Sequence, residues 1–160
     1  MRNLPSACML WSCRYLSLRE MNFSTPEAAE TAFYAAFATR DLDAMMAVWA
    51  SDDSVACIHP MAAPLDGRAA VAAGWHSMFE AAGQFQVRVE LAHEIRGTNQ
   101  VVRIVREYLV IGQETEPRPP ILATNLYRKQ GESWHMVLHH ASPLQVGGKP
   151  PARMPPVVLH

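Results

Sequence analysis

The chain lacks an excess of charge of either sign. Its 160 residues include 14 Lys and Arg against 15 Asp and Glu, which gives a formal net charge of −1. Proteins that hold a nucleic acid backbone generally carry a strongly basic surface, so a nucleic acid partner is not expected. No apolar run approaches the roughly 20 residues that a membrane-spanning helix needs, so no membrane partner is expected either.

Cysteine is also sparse. Cys8, Cys13 and Cys57 are odd in number and lack the paired spacing of a metal site. This usage fits a reducing cytoplasm better than a disulfide-stabilised domain, and we expect Cys57 to be a buried thiol in a cytoplasmic protein. Gly-rich phosphate loops, the Gly-x-Ser-x-Gly nucleophile motif and a Cys/His nucleophile pattern are all missing, so no cofactor is predicted.

The seven histidines make a metal site the remaining alternative. His76 has Glu80 four residues later, but an isolated pair of this kind is a weak metal signal. A cluster of His59, His140 and a carboxylate would bind a divalent ion only if the fold brought the three together. We predict no metal, and a metal-dependent enzyme stays an open alternative.

Apolar residues make up 49% of the chain, and its length suits one compact domain. The short apolar run near the start is interrupted by polar residues, so residues 1–20 are expected to be an upstream extension or a loosely attached arm rather than a secretory signal. Residues 144–160 are rich in Pro and Gly and are expected to form an extended or disordered tail. The predicted domain covers residues 21–143.

Helical periodicity dominates the first half of this domain. Ser24 is the expected cap of a helix over residues 25–39, and Asp41 is the expected cap of a second, shorter helix. A short strand over residues 55–59 precedes a third helix over residues 68–82, whose apolar side chains recur at helical spacing.

From Phe85 onward the apolar period changes to two, which is typical of strands. Further strands are predicted over residues 101–111, 121–129 and 134–142, the last two as a hairpin. Helices followed by a meander of long strands indicate an α+β domain rather than alternating βαβ units.

Several short strings in the same order resemble the nuclear transport factor 2-like superfamily, which includes ketosteroid isomerases and SnoaL-like polyketide cyclases. They occupy residues 40–45, 58–60, 65–68, 123–125 and 139–143. The chain looks closest to uncharacterised bacterial SnoaL-like domains. The resemblance implies three N-terminal helices packed on a curved, mostly antiparallel sheet that forms a cone-shaped half-barrel, and homodimers joined through the sheet. It does not imply a particular reaction.

The resemblance to the ketosteroid isomerases indicates where a base would lie. Their catalytic Asp precedes a Pro, and the matching residue is His59. Their first-helix Tyr corresponds to Phe33, which has no hydroxyl, and their carboxylic acid on a later strand should fall near Ala123 or Thr124, although residues 121–129 contain no acid. Steroid isomerisation by the same set of groups is therefore not expected.

Two polar residues are the first candidates for a site. His59 is a candidate general base because an imidazole titrates near neutral pH, and its alternative role is to hold the following loop by hydrogen bonds. Asn125 lies in an apolar strand, where an unpaired amide would cost about 1–3 kcal/mol, so it must have a partner. That partner is a ligand, a neighbouring strand or a helix end.

Two adjacent histidines near the end of the last strand face opposite sides of the sheet unless a bulge intervenes. Alternation from Trp134 and Met136 puts His140 on the more apolar face. We therefore assign His140 to the pocket and His139 to the other face of the sheet, as a structural residue or a dimer contact.

Three aromatic residues and one arginine complete the candidate set. Tyr34, Trp49 and Trp75 are expected to wall the pocket, with a purely structural core role as the alternative. Arg106 and Glu107 interrupt an apolar strand on opposite faces, so one of them is expected to enter the pocket or an interface. Arg106 is the predicted ligand-binding residue, whereas the simpler interpretation is an ion pair between Arg103 and Glu107.

These residues together predict a homodimeric protein whose pocket binds a small apolar or aromatic molecule. His59 is the predicted base, with Asn125 and His140 as polarising partners, for proton abstraction or isomerisation next to a carbonyl. The alternative is a non-catalytic ligand-binding or dimerisation module with the same fold.

Overall fold

The computed structural model of the protein describes residues 21–115 and 118–144. The arm predicted over residues 1–20 lies outside the described residues, and so does the predicted tail apart from residue 144. Three helices and six strands follow one another in the described part: α1 Pro26–Thr39, α2 Leu42–Val48, β1 Ala56–Ile58, β2 Leu65–Asp66, α3 Arg68–Ala81, β3 Phe85–Arg96, β4 Gln100–Ile111, β5 Ile121–Gln130 and β6 Ser133–Pro143.

The first two helices form a hairpin whose ends are set by local side-chain chemistry. Thr25, not Ser24, is the cap of α1, because its extended backbone lets Oγ1 accept from the Ala28 N–H at 3.1 Å. Arg40 ends the helix with a left-handed φ of 57°. Asp41 caps α2 as predicted, since its Oδ1 accepts from the Ala44 N–H at 2.9 Å.

The third helix is fastened to the second by one arginine. The guanidinium of Arg68 donates to the backbone carbonyls of Met46, Trp49 and Ala50 at 2.8–3.1 Å, which satisfies carbonyls at the end of α2. The buried stripe of α3 consists of Val71, Trp75 and Phe79. No helix in the described ranges is long and apolar enough to cross a bilayer.

The strands form one sheet in the order β2-β1-β6-β5-β4-β3. All neighbouring strands are antiparallel except β1 and β6, which are parallel. The predicted α+β class with a mostly antiparallel sheet is thus confirmed. We call the face of the sheet that packs against the helices the inner face and the opposite one the outer face. The fully buried side chains of the inner face include Val101, Val105, Ala123, Tyr127 and Met136.

A β-bulge in β6 changes which residues face the helices. Tyr127 of β5 pairs with Met136, but the preceding Leu126 pairs with Leu138, so Val137 is the extra residue. An extra residue shifts the alternation of side chains by one position. Residues before the bulge keep the predicted faces, and those after it exchange them.

Candidate functional site

Four polar side chains are linked by hydrogen bonds between α1 and the inner face, and we call them the polar chain: Tyr34, Glu107, Asn125 and His139. The Tyr34 hydroxyl donates to Glu107 Oε1 at 2.7 Å, and Asn125 Nδ2 donates to the Tyr34 oxygen at 3.1 Å. His139 Nδ1 lies 2.7 Å from Asn125 Oδ1. None of the four is more than 8% exposed, so each depends on the others to satisfy its polar atoms.

The amide of Asn125 sets the protonation of the histidine. Because Asn125 Oδ1 can only accept, the proton between the two residues is on His139 Nδ1. Burial, together with the nearby His59 and His140, lowers the pKa of His139 to about 3, so the imidazole is neutral. A neutral ring that is protonated on Nδ1 has its free electron pair on Nε2.

Glu107 forms the other end of the polar chain, and its carboxyl group titrates near neutral pH. Burial raises its pKa from the ordinary 4.5 to about 7, against the opposing effect of the hydrogen bond from Tyr34. The negative charge of nearby Glu30 contributes to this increase. Burial and the charge of Glu107 raise the pKa of Tyr34, which therefore stays protonated and donates.

A buried ion pair lies beside the polar chain. Glu30 of α1 accepts from Arg103 Nε at 3.0 Å and from the Tyr127 hydroxyl at 3.4 Å. Arg103 also pairs with Glu27 at 3.0 Å and with Glu94. Arg103 and Glu107 share the inner face, as expected, but the predicted ion pair between them is wrong. Acidic residues of α1 and β3 neutralise Arg103, and Glu107 accepts a hydrogen bond from Tyr34 instead.

His59 lies just beyond the end of β1, on the side of the sheet where the polar chain is found. Its ring centroid is 4.7 Å from that of Trp75 in an edge-to-face contact and 6.4 Å from that of His139. Its Nε2 is 3.7 Å from the sulfur of Cys57, which is a buried free thiol as predicted. The side chain is partly exposed, and burial lowers its pKa, which favours the neutral ring at pH 7.

The assignment of the adjacent histidines is reversed in the structure. His139 is 3% exposed and belongs to the polar chain, whereas His140 is exposed on the outer face. The bulge at Val137 is the reason, because it moves every later residue of β6 to the face opposite to that expected from Trp134.

Of the other predicted site residues, Tyr34 and Trp75 lie near His59 or the polar chain, whereas Trp49 and Arg106 lie elsewhere. Tyr34 and Trp75 lie beside His59 and Asn125, and Trp75 Nε1 is buried without a hydrogen-bond partner in the described residues. Trp49 is 1% exposed and packs on Phe33, and it borders a separate cavity at the end of α2. Arg106 pairs with Leu122 in the β4–β5 ladder on the outer face, so it does not join this group.

From the sequence, Glu107 is expected to pair with Arg103 and His139 to face away from the pocket, so neither is among the predicted site residues, although both belong to the polar chain. Phe33 has no hydroxyl and residues 121–129 contain no acid, as expected. The neighbouring Tyr34 nevertheless brings a hydroxyl to the inner face, and Glu107 of β4 brings a carboxyl group. A carboxylate on the same strand face as buried valines was the available signal for Glu107. Within the described ranges, no three His, Cys, Asp or Glu side chains are grouped to hold a metal ion.

Comparisons with known proteins agree with this architecture. The model of the SnoaL-like domain matches residues 27–145. A solved structure from Thiobacillus denitrificans, named as a calcium/calmodulin-dependent protein kinase type II association domain, is 69% identical and covers 79% of this chain and 100% of that chain, with a TM-score of 0.78. A ketosteroid isomerase-like protein from Erwinia carotovora atroseptica shares the fold at 20% identity, over 75% of this chain and 94% of that chain, with a TM-score of 0.59.

A longer plant protein contains a related segment. The F-box protein SKIP8 of Arabidopsis thaliana is 28% identical over 115 residues, which are 72% of this chain and 48% of that protein. The chain therefore spans about half the length of this curated relative. Because the family match covers most of the chain and the fold agrees with those of the solved structures, the chain belongs to the SnoaL-like domain family and has the nuclear transport factor 2-like fold.

Proposed function

We propose that the inner face binds a small, mostly apolar carbonyl compound and that His59 takes a proton from the carbon next to the carbonyl. One observation carries the proposal: a partly exposed imidazole, neutral at pH 7 because burial lowers its pKa, lies next to a buried polar chain. A neutral imidazole has a basic nitrogen, which is what a general base requires. The buried rings of Trp75 and Phe33, which contact each other, make the surroundings of His59 apolar.

Removal of that proton places negative charge on the carbonyl oxygen, and a hydrogen-bond donor must stabilise it. Trp75 Nε1 is the donor that we assign, because it is buried near His59 and donates to no other group in the described residues. Asn125 is a positioning residue, since its Nδ2 already donates to Tyr34 and its Oδ1 holds His139. The relative from Erwinia is named a ketosteroid isomerase-like protein, which is consistent with isomerase-type chemistry.

Hydrogen–deuterium exchange tests this proposal without knowledge of the product. A panel of cyclic and aromatic ketones is incubated with the protein in D2O at pH 7, and loss of the proton next to the carbonyl is followed by NMR. We expect catalysed exchange of at least one ketone by the wild type and by His76→Gln, whose histidine is exposed on α3. We expect His59→Gln to reduce the rate about 100-fold, the usual lower size of a general-base effect. Equal rates in His59→Gln and wild type would refute the role of His59.

A non-catalytic association role is the second candidate, and the outer face favours it. Ile95, Val102, Leu126 and Leu138 are paired from strand to strand and form an apolar row across four strands, in which Ile95 is 57% exposed. Apolar rows of this kind are typical of contact surfaces. The 69% identical relative is named an association domain. We propose that a second copy of the chain covers the row and forms a homodimer.

The oligomeric state tests the dimer. Ile104 lies on the outer face beside this row, and Ile104→Asp would place a charge within the proposed contact. We expect sedimentation to show a dimer for the wild type and a folded monomer for Ile104→Asp. Leu91→Asp is the matched control, because Leu91 is a half-exposed apolar residue that pairs with Val105 on the inner face. A wild type that stays monomeric at 100 micromolar, roughly the upper concentration for weak association, would refute the dimer.

We also place the protein in the cytoplasm. Cys57 is a free thiol in the core, and a reducing compartment keeps such a thiol unmodified. Fluorescence microscopy of a tagged full-length chain tests the location, and export of the chain from the cell would refute it.

A further inference from the structure

A cavity with no role in the proposed acid–base chemistry lies where the end of α2, the start of α3 and the turn between β5 and β6 meet. We call it the α2-end cavity. Its volume is about 540 Å³, which is within the range of roughly 300–1,000 Å³ that small-molecule sites occupy. The lining residues used below are Met46, Trp49, Arg68, Glu132 and His135. His59 and the polar chain do not border it.

One residue of this lining holds a buried polar atom without a partner. Within the described residues, Trp49 Nε1 is buried and makes no hydrogen bond. An unsatisfied buried donor or acceptor is unfavourable, so native structures rarely keep one without a reason. An indole N–H can only donate, so its missing partner is an acceptor.

The charge at the cavity favours an anionic acceptor. Arg68 is held in place by three backbone carbonyls, none of which carries a full negative charge to neutralise it. The carboxylate in the lining, Glu132, pairs with Lys129 at 3.4 Å. Burial lowers the pKa of His135 against the opposing effect of hydrogen bonds to the backbone of Val48 and Ala47, and the charge of Arg68 lowers it as well, so the neutral ring adds no second positive charge to the site. Met46 and the indole of Trp49 supply apolar surface for the rest of such a ligand.

We propose that the α2-end cavity is a binding site for a small organic monocarboxylate with an apolar body. In this site Trp49 Nε1 donates to the carboxylate, Arg68 supplies the positive charge, and Met46 contacts the apolar part. The site is separate from the proposed base His59, so a ligand bound there is an effector or a second substrate rather than the compound that loses a proton.

Benzoate is the probe, and the indole N–H signals of the 15N-labelled full chain report where it binds. Trp49 is distinguished from Trp75 by its contacts, since Trp75 but not Trp49 contacts His59. We expect benzoate to shift the Trp49 indole signal and to leave that of Trp75 unchanged. Benzamide has the same shape without the charge, and we expect it to bind at least tenfold more weakly, because hydrogen bonds to charged groups are worth roughly 1.5–3 kcal/mol.

Trp49→Phe removes the N–H and keeps an aromatic ring, and we expect it to weaken benzoate binding about tenfold in calorimetry. If this variant does not fold, the benzoate-induced shifts of the indole signals in the wild type test the proposed site on their own. No shift of Trp49 with benzoate, or equal binding of benzamide, would overturn the proposal. A shift of Trp75 alone would place benzoate on the inner face, which contradicts the α2-end site but leaves the proposed role of His59 intact.

Discussion

Glu107→Gln separates the cost of a buried charge from the value of a buried hydrogen bond. The folded protein holds the pKa of Glu107 at about 7, and the ordinary value is 4.5. Between these two pH values the folded chain binds more protons at this residue than the unfolded chain, so the stability of the wild type falls as pH rises. The difference of about 2.5 in pKa corresponds to roughly 3 kcal/mol.

Glutamine keeps an oxygen to accept from the Tyr34 hydroxyl but does not ionise. The free energy of unfolding of Glu107→Gln minus that of the wild type is therefore expected to increase by roughly 3 kcal/mol between pH 4.5 and 8 and to level off above pH 8. Any cost of the extra amide donor is the same at each pH and does not alter this increase.

Urea unfolding at several pH values between 4.5 and 8, followed by circular dichroism at one protein concentration, measures the difference. Glu80→Gln is the matched control, because Glu80 is exposed on α3 and makes no hydrogen bond in the described residues. We expect the control to show no comparable increase. A difference between Glu107→Gln and wild type that does not change with pH would refute the view that Glu107 is destabilised by its own charge.

Three further predictions concern the polar chain and the start of α1. His139 has a pKa lowered to about 3, so between pH 6.5 and 3 the unfolded chain binds more protons and stability falls with acidification; acid unfolding should be less steep in His139→Gln. Asn125→Leu leaves the His139 N–H without its acceptor and should cost about 2–4 kcal/mol in urea unfolding, and a loss below 1 kcal/mol would contradict the polar chain. Thr25→Ala should lower stability by about 1 kcal/mol in thermal unfolding, whereas Ser24→Ala should change it little, and the reverse order would contradict the observed cap.

The sequence alone determined the order of the three helices and of five strands, because their signals are local, whereas the two-residue strand β2 was not predicted. Asp41 was recognised as a cap from its position before an apolar helical stripe, and it acts as one. The period of two after Phe85 predicted the strands, whose ends differ from expectation by only a few residues. The partner of Asn125 was predicted from the cost of burying an unpaired amide, although the residues that provide it were not.

The faces of the last strand depended on the tertiary structure. The bulge at Val137 exists only through the pairing of β6 with β5, and no local pattern around residues 134–142 announces it. Strict alternation therefore assigned His140 to the inner face, where His139 lies instead.

The chemistry of Glu107 also arises only after folding. Its proton affinity depends on burial beneath α1 and on the nearby charge of Glu30, and its hydrogen-bond partner Tyr34 is 73 residues away in the chain. Sequence patterns determine which residues turn inward on each element, because that periodicity is local. The contacts between inward residues of different elements depend on how a helix lies across the sheet. The packing of α1 on the sheet brings Tyr34 to Glu107 and so makes this carboxyl group the end of a buried polar chain.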